Sequence, residues 1–279
     1  MNLEARRKRW AFLFVQTSSE GRIAAMVITA EPCELESILA LRDMYRLEMS
    51  CQIIHDSIHS RAGWTQEYSL RVDGKQVGYG SVAIAGPWTE IPALYEFFVA
   101  GPYRLRIFEL FEAFRDACGA TRMEIQSNDI QTAVMCHTYG QNVLADSVLF
   151  RDEVTTNFVP AGATFRTATE EDGLDISAKQ ILWHGVVEVE GHTAATGGIL
   201  FHYNRPYGDI YMEVREEFRR RGVGAFIVQE LKRVCYEGGF KPGARCRPTN
   251  VASQRTLQRA GFVPYGHILV GDLPAAGSE

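Results

Sequence analysis

Short runs of apolar residues alternate along the chain with stretches in which apolar residues recur at helical spacing, and this pattern predicts mixed α and β structure. Extended runs on both sides of Asp73-Gly74 predict a β-hairpin. In the first half the pattern predicts a strand over 24–30, helices over 35–45 and 52–60, a hairpin over 67–84, a strand over 94–99, a helix over 105–118, a strand over 123–127 and a helix that Asn128 caps and that runs as far as Gly140.

The second half of the chain repeats this order. The pattern predicts a strand over 165–168, a hairpin over 186–201, a strand over 209–214, a helix over 222–236, a strand over 244–247 and a helix from Asn250 to Gly261. Polar and turn-forming residues over 151–163 separate the two copies. We therefore expect domains over 26–150 and 151–279 after an N-terminal extension over 1–25, with Met26 as an alternative start to Met1.

Composition and charge narrow the possible functions. Hydrophobic residues make up 46% and charged residues 23% of the 279 residues, as in folded soluble proteins. A net charge of −5 gives no chain-wide basic footprint for nucleic acid or an anionic membrane, so any anion site must be local. The six cysteines include no CxxC pair, which argues against zinc and disulfides and favours reduced thiols in the cytoplasm. The apolar run over 10–15 is too short for a signal peptide, so we expect no export and no membrane span.

One segment carries a recognisable chemical pattern. The strand over 209–214 is followed by residues 219–225, which read RRRGVGA and open a helix. Backbone N–H groups at a helix start, the helix dipole and nearby arginines together favour an anion, and glycines let a phosphate approach closely. The segment is neither a P-loop nor a dinucleotide-binding loop, because Ile227 stands where the third glycine of the latter belongs. What remains is R-x-x-G-x-G over 219–224.

With the strand before it and N-x-x-S-(x)7-G-F over 250–262 after it, this motif resembles the GNAT superfamily of acyl-CoA-dependent N-acetyltransferases. The resemblance covers about 163–274 and, in degenerate form, about 26–150. It implies an α/β (α+β) fold of two tandem GNAT-like domains, each a mixed, mainly antiparallel sheet flanked by helices. It also implies acetyl-CoA as co-substrate, no metal, a small-molecule or peptide amine as acceptor, and a monomer or homodimer.

The resemblance also implies roles for individual residues. The backbone of 221–225 would hold the pyrophosphate of coenzyme A, the strand at 212–214 would pair with the pantetheine amides, and a backbone N–H near Val214 would polarise the thioester carbonyl. Asn250 and Ser253 would flank the pantetheine arm. The implied coenzyme-binding residues are Met212, Val214, Arg219, Arg220, Arg221, Gly222, Val223, Gly224, Ala225, Asn250 and Ser253.

The catalytic residues follow less directly. Direct attack on a thioester needs a neutral amine, so a base must take a proton, and Asp209 and Glu213 on the strand before the motif are the candidates. The family often has a tyrosine acid seven positions after the asparagine, but here that position is Leu257. Tyr265 or His267 would have to substitute. The missing tyrosine leaves open a non-catalytic acyl-CoA sensor or interaction module, and aminoacyl or longer acyl donors also remain possible.

The first copy lacks the motif. Its corresponding loop, residues 100–106, reads AGPYRLR, and Pro102 removes one backbone donor. We therefore expect no coenzyme A there and predict a structural or substrate-shaping domain. Its helices would roof the acceptor groove of the second copy. The candidate lining residues are Tyr45, His55, His59 and Trp64, and the alternative for each is a packing role in the core.

Overall fold

A computed structural model describes residues 26–49, 51–52, 55–174, 181–201 and 203–275. The predicted extension over 1–25 lies outside the described residues. Two sets of elements in the same order make up the rest, and we name them the first repeat, from β1 to β6, and the second repeat, from β7 to β12.

The first repeat carries two helices before its hairpin and two after it. Its elements are β1 (Ile28–Cys33), α1 (Leu39–Met49), α2 (His55–His59), β2 (Thr65–Val72), β3 (Lys75–Ala83), β4 (Ala93–Val99), α3 (Ile107–Cys118), β5 (Arg122–Gln126), α4 (Ile130–Tyr139) and β6 (Gln141–Asp152).

The second repeat has no described counterpart of α1 and α2, within the ranges given above. Its elements are β7 (Ala163–Thr167), β8 (Ile181–Val189), β9 (His192–Leu200), β10 (Tyr207–Val214), α5 (Val223–Glu237), β11 (Lys241–Cys246), α6 (Val251–Arg259) and β12 (Phe262–Asp272).

Local chemistry explains most element boundaries. Asp73 and Gly74 both have positive φ, as a tight hairpin turn requires, so the predicted hairpin is confirmed. The predicted cap at Asn128 is wrong by one residue. The cap of α4 is Asp129, whose carboxylate accepts the backbone N–H groups of Gln131 and Thr132. Asn250 does cap α6, as predicted.

All twelve strands form one sheet, in the order β1-β2-β3-β4-β5-β12-β6-β11-β10-β9-β8-β7. Strands β1 to β5 follow one another inward from one edge of the sheet, and β7 to β11 follow one another inward from the other edge. At the centre the last strands of the two repeats, β6 and β12, have exchanged places. β12 pairs with β5 of the first repeat, and β6 pairs with β11 of the second.

The confirmed fold class therefore contains a feature that was not predicted. The pattern predicted neither β6 nor β12 as a strand, and these are the two strands that join the repeats into one sheet. The predicted domain boundary at 150/151 falls inside β6. Where the chain divides into units that fold separately remains a prediction.

Helices cover the second repeat's sheet on one face. Phe226, Ile227 and Leu231 of α5 are buried in one core with Ile210 of β10 and Ala244 of β11. Side chains alternate along a strand, so the neighbours of Ile210 and Ala244 point to the opposite face. The segment between α1 and α2 of the first repeat reaches that opposite face, because Gln52 Nε2 donates to Phe150 O at 2.8 Å and approaches Ala244 O at 3.4 Å.

Candidate active site

An opening between two parallel strands forms the centre of the site. The ladder between β10 and β11 ends at the pair Asp209 and Gly243, although β10 continues to Val214 and β11 to Cys246. On its other edge β10 stays paired with β9 as far as Val214. The two parallel strands therefore separate into a cleft that is closed at Asp209 and open towards Val214.

Backbone groups of β10 face into this cleft. The N–H of Arg215 donates to Ala194 O at 3.0 Å, on the β9 side of the strand. Successive residues of a strand direct their backbone groups to alternate edges, so the N–H groups of Val214 and Met212 point towards β11. An extended ligand with amide groups can add to this edge as a further strand would. The roles predicted for Met212 and Val214 stay predictions, and their orientation fits them.

The R-x-x-G-x-G segment lies at the open end of the cleft. Arg220 and Gly222 have φ values of 62° and 85°, so the backbone turns sharply before α5 begins at Val223. The first backbone bond of the helix runs from Phe226 N–H to Gly222 O at 3.1 Å. The N–H groups of residues 223–225 precede it and so lack an intrahelical partner. They point out of the helix start, where its dipole favours an anion.

Glycine occupies the two positions of the motif, 222 and 224, for different structural reasons. Gly222 needs its left-handed φ, which side chains disfavour. A methyl group on Gly224 would lie 3.1 Å from Thr256 Cγ2 and 3.3 Å from Val214 Cγ2, so glycine here brings the helix start close to β10 and α6.

Positive charge surrounds this helix start. The side chains of Arg219, Arg220 and Arg221 are exposed, and Arg219 Nε donates to Val214 O at 3.2 Å. The Arg259 guanidinium of α6 would lie 3.5 Å from a methyl group on Gly222. Arg259 was not predicted as a site residue, since only the packing of α6 against α5 brings it here.

Asp209 lies at the closed end of the cleft and is only 5% exposed. Burial raises the pKa of its carboxyl to about 6, while the Arg245 guanidinium and the Tyr203 hydroxyl act against that rise. Arg245 Nε lies 3.6 Å from Asp209 Oδ2. The carboxylate is therefore mostly ionised at pH 7 yet close to its pKa, as suits a general base. Arg245 and Tyr203 were not predicted, because no local pattern marks them.

The second predicted carboxylate has a different setting. Glu213 is exposed, and it shares a face of β10 with Asp209 and Tyr211. The Tyr211 hydroxyl lies 2.8 Å from His184 Nδ1 of β8. Gly198 of β9 lies between them, and a methyl group there would be 2.8 Å from the Tyr211 ring.

The substitutes for the missing tyrosine lie further away. Leu257 is 3% exposed and belongs to the core, so it presents no polar group. Tyr265 lies on β12, three strands from β10 or roughly 14 Å across the sheet. The Arg151 guanidinium covers its ring at 4.3 Å. His267 is exposed, and its backbone pairs with Ser127 of the first repeat. The structure brings neither Tyr265 nor His267 next to Asp209.

The two pantetheine-flanking candidates are at the start of α6. Asn250 Oδ1 accepts the Ser253 N–H at 3.0 Å, so the asparagine oxygen caps the helix and its NH2 group is directed elsewhere. Both residues follow the end of β11, which is the strand on the other side of the cleft from β10.

The first repeat has a corresponding opening, and its own side chains fill it. The ladder between β4 and β5 ends at Leu94 and Met123, and β4 continues to Val99. The N–H of Ala100 donates to Val77 O at 2.9 Å, so the N–H of Val99 faces the opening. There it donates to the buried Gln131 Oε1 of α4 at 2.9 Å.

The predicted lining residues of the first repeat are engaged in its interior. Glu96 is fully buried, and His55 Nδ1 and His59 Nε2 lie 2.5 Å and 3.2 Å from its carboxylate. Burial alone would raise the pKa of Glu96, but Arg42 and the two histidines outweigh it and hold the pKa well below its usual range.

The other two predicted lining residues also have partners inside the first repeat. Tyr45 donates to Asp129 Oδ2 at 2.8 Å. The ring of Trp64 packs edge-on against Trp88. Their predicted part in an acceptor groove remains untested.

Among the described residues, no group of three or more His, Cys, Asp or Glu side chains is arranged to hold a metal ion. None of their helices is long and apolar enough to cross a membrane. The six cysteines are free thiols.

The family assignment rests on the second half of the chain. Residues 150–262 match the model of the Acetyltransferase (GNAT) family. These residues form a GNAT domain. The cleft, the R-x-x-G-x-G segment and Asp209 all lie within the GNAT domain, so the resemblance inferred from the motif is confirmed. A comparison with curated proteins gives no significant match.

Solved structures extend the GNAT fold over both repeats. A GNAT-family acetyltransferase from Colwellia psychrerythraea aligns with 88% of this chain and 100% of its own, with a TM-score of 0.67 at 15% identity. A tandem GNAT protein from the clavulanic acid biosynthesis pathway, without AcCoA, aligns with 91% of this chain and 100% of its own, with a TM-score of 0.61 at 14% identity. A GCN5-related N-acetyltransferase from Sphaerobacter thermophilus covers 89% and 96%, with a TM-score of 0.55 at 15% identity. At such identities the likeness concerns the fold.

Proposed function

We propose that the protein is an acyl-CoA-dependent N-acetyltransferase that transfers an acetyl group to a primary amine of a small molecule or peptide by direct attack. One observation carries this proposal. The cleft between β10 and β11 has a free backbone edge along one side, an anion-binding helix start at its mouth and a buried carboxylate at its closed end.

Acetyl-CoA would supply the activated acyl group, and the residues of the cleft fit it. The backbone of residues 221–225 would hold the pyrophosphate, with Arg219, Arg220 and Arg259 as positive partners. The cleft-facing edge of β10 would align the pantetheine arm. The N–H of Val214 would donate to the oxygen on which negative charge develops.

Asp209 would act as the base. An alkyl amine has a pKa near 10 and is protonated at pH 7, so it must lose a proton before it attacks. Asp209 has a pKa of about 6 and lies at the closed end of the cleft, where a water can carry that proton to it. An acid for the leaving thiolate is less necessary, since a thiol pKa near 8.5 makes the thiolate a tolerable leaving group.

The first repeat, in this proposal, binds no coenzyme A and acts as a degenerate GNAT-like domain. Gln131 occupies the backbone donor that a ligand would need there. The negative net charge weakly favours cationic amines as acceptors. We further propose a cytoplasmic protein, monomeric or homodimeric, that engages neither nucleic acid nor membrane.

A second candidate function is a non-catalytic acyl-CoA-binding sensor or interaction module. The burial of Leu257 in the core, where the family often has a tyrosine acid, favours it. The two functions are separated by incubating the protein with acetyl-CoA and a panel of amines and measuring free thiol. Thiol release that depends on an amine supports the enzyme. Tight binding of acetyl-CoA without release for any amine in the panel would support the sensor.

A further inference from the structure

A buried polar cluster joins the two repeats at the closed end of the cleft. Gln52 comes from the segment between α1 and α2 of the first repeat, while Tyr203 and Asp209 belong to the second repeat. They are 0%, 2% and 5% exposed. No element of the proposed mechanism uses Gln52 or Tyr203, so their burial beside Asp209 needs its own explanation.

The absence of a side chain at Gly243 lets these groups meet. A methyl group there would lie 3.1 Å from Tyr203 Cε2 and 3.3 Å from Gln52 Oε1. The Gln52 NH2 group donates to Phe150 O at 2.8 Å, while its amide oxygen lies beside Gly243. Gly243 pairs with Asp209 in the ladder between β10 and β11, so the Tyr203 hydroxyl has two acceptors on this face of the sheet, the Gln52 amide oxygen and the Asp209 carboxylate.

A single hydroxyl proton cannot serve both acceptors. Among the described residues, neither Tyr203 Oη nor Gln52 Oε1 has a hydrogen bond of ordinary geometry. A buried polar atom without a partner is costly, and while Asp209 is ionised either position of the hydroxyl proton leaves one of the two acceptors without a donor. The other charged group that faces the carboxylate is Arg245, whose charge is constant.

Given the proposed function, in which Asp209 accepts the amine proton, we propose that Gln52 and Asp209 compete for the hydroxyl proton of Tyr203. When Asp209 is ionised, Tyr203 donates to it and Gln52 Oε1 is left unpaired. When Asp209 carries a proton, its own O–H donates to Tyr203 Oη, and Tyr203 donates to Gln52. The first repeat thus favours the protonated form of the base through Gln52, which is a positioning residue.

The competition predicts that Tyr203→Phe and Gln52→Met shift the titration midpoint of Asp209 in opposite directions. Tyr203→Phe removes the donor to the ionised carboxylate, so the Asp209 midpoint should rise by about one pH unit. Gln52→Met removes the competing acceptor at similar side-chain length, so the midpoint should fall by about half a unit. In the double variant the Gln52 substitution should add nothing, because no hydroxyl remains to be shared.

The test is a ¹³C NMR titration of aspartate-labelled full-length protein without ligand, with the Asp209 signal assigned from Asp209→Asn. Ser127→Ala is the matched control, since it removes another contact between the repeats, the 2.8 Å bond from His267 N–H. Its midpoint should equal that of the wild type. Shifts of the same sign in the two variants, or an unchanged midpoint in either of them, would overturn the proposal. Tyr203→Phe keeps the ring, so an unchanged midpoint there would overturn the proposal even if Gln52→Met fails to fold.

The titration is independent of turnover. If the midpoints shift as expected and no amine is acetylated, the coupling stands and the proposed function fails. If amines are acetylated, the acidic limb of kcat should move with the NMR midpoint in each variant. A limb that stays in place while the midpoint moves would remove Asp209 from the reaction.

Discussion

In both repeats a parallel strand pair opens after a short ladder, and in both an arginine five residues beyond the strand donates Nε back to the last strand carbonyl, at 2.9 Å from Arg104 and 3.2 Å from Arg219. The side chains around these openings differ. Arg104 is also paired with Glu48, and Gln131 occupies the Val99 N–H. The position of Gln131, two residues after the helix cap, is Ala252 in the second repeat. The same backbone is thus closed in one repeat and open in the other.

The helix starts show the same contrast. Aligned on the two arginines, Gly222 and Gly224 correspond to Ile107 and Glu109. Glu109 lies in the first turn of α3 and pairs with Arg106 at 3.1 Å. A carboxylate there interacts favourably with the positive end of the helix dipole, whereas the second repeat has no carboxylate at the corresponding Gly224. Under the proposed function, a repeat that binds no coenzyme A therefore keeps the same fold, and its own side chains take the place of the ligand's groups.

The largest expected effect concerns the buried carboxylate of the open cleft. Asp209→Asn should lower kcat about 10²- to 10⁴-fold, because it removes the proposed base, with little change in acetyl-CoA affinity. In the wild type kcat/KM should rise with pH through about 6, as Asp209 ionises, and the variant should lose this limb. Steady-state kinetics over pH 5 to 8 measure both. Glu213→Gln is the matched control, and a larger loss there than in Asp209→Asn would reassign the base.

The buried carboxylate of the closed repeat should matter for stability instead. Glu96→Gln removes the buried charge partner of Arg42 and leaves it only the partly exposed Asp56, so it should cost about 3–5 kcal/mol in the free energy of unfolding at pH 7, measured with urea. The folded pKa of Glu96 is lowered, so its contribution is present above its unfolded value near 4.5 and is lost as the pH falls below that. The difference between wild type and variant should shrink in that range. The folded pKa of Asp209 is raised, so its contribution to the free energy of unfolding depends on pH in the opposite direction. That contribution is present at low pH and is lost as the pH rises through about 6.

A smaller effect should follow from exchanging the residues that close or open the clefts. Ala252→Gln should place an amide near the Val214 N–H and weaken acetyl-CoA binding about tenfold, measured by calorimetry. The reverse change, Gln131→Ala, should leave the stoichiometry at one per chain, since the first repeat still lacks the glycines. A second binding event in Gln131→Ala would show that the amide alone closes that repeat.

The smallest effect should come from the paired arginines. Arg219→Ala should weaken acetyl-CoA binding about threefold to tenfold through loss of a charged donor. Arg104→Ala should leave binding unchanged and cost at most about 1 kcal/mol of stability, since its pair with Glu48 is partly exposed. Equal effects of the two substitutions on affinity would contradict the assignment of binding to the second repeat.

The sequence by itself determined most helices and strands, the repeat and the R-x-x-G-x-G segment, because these depend on local spacing and on turn residues such as Gly74 and Gly222. It did not reveal the exchange of β6 and β12, since a strand's partner is chosen by packing over long separations in the chain. The sequence also indicated Asp209 as a candidate base, but not the residues that surround its carboxylate. Only the tertiary structure placed Arg245, Tyr203 and Gln52 around that carboxylate, and only it put Gln131 into the first cleft, because burial and contacts between distant residues decide both a pKa and an opening.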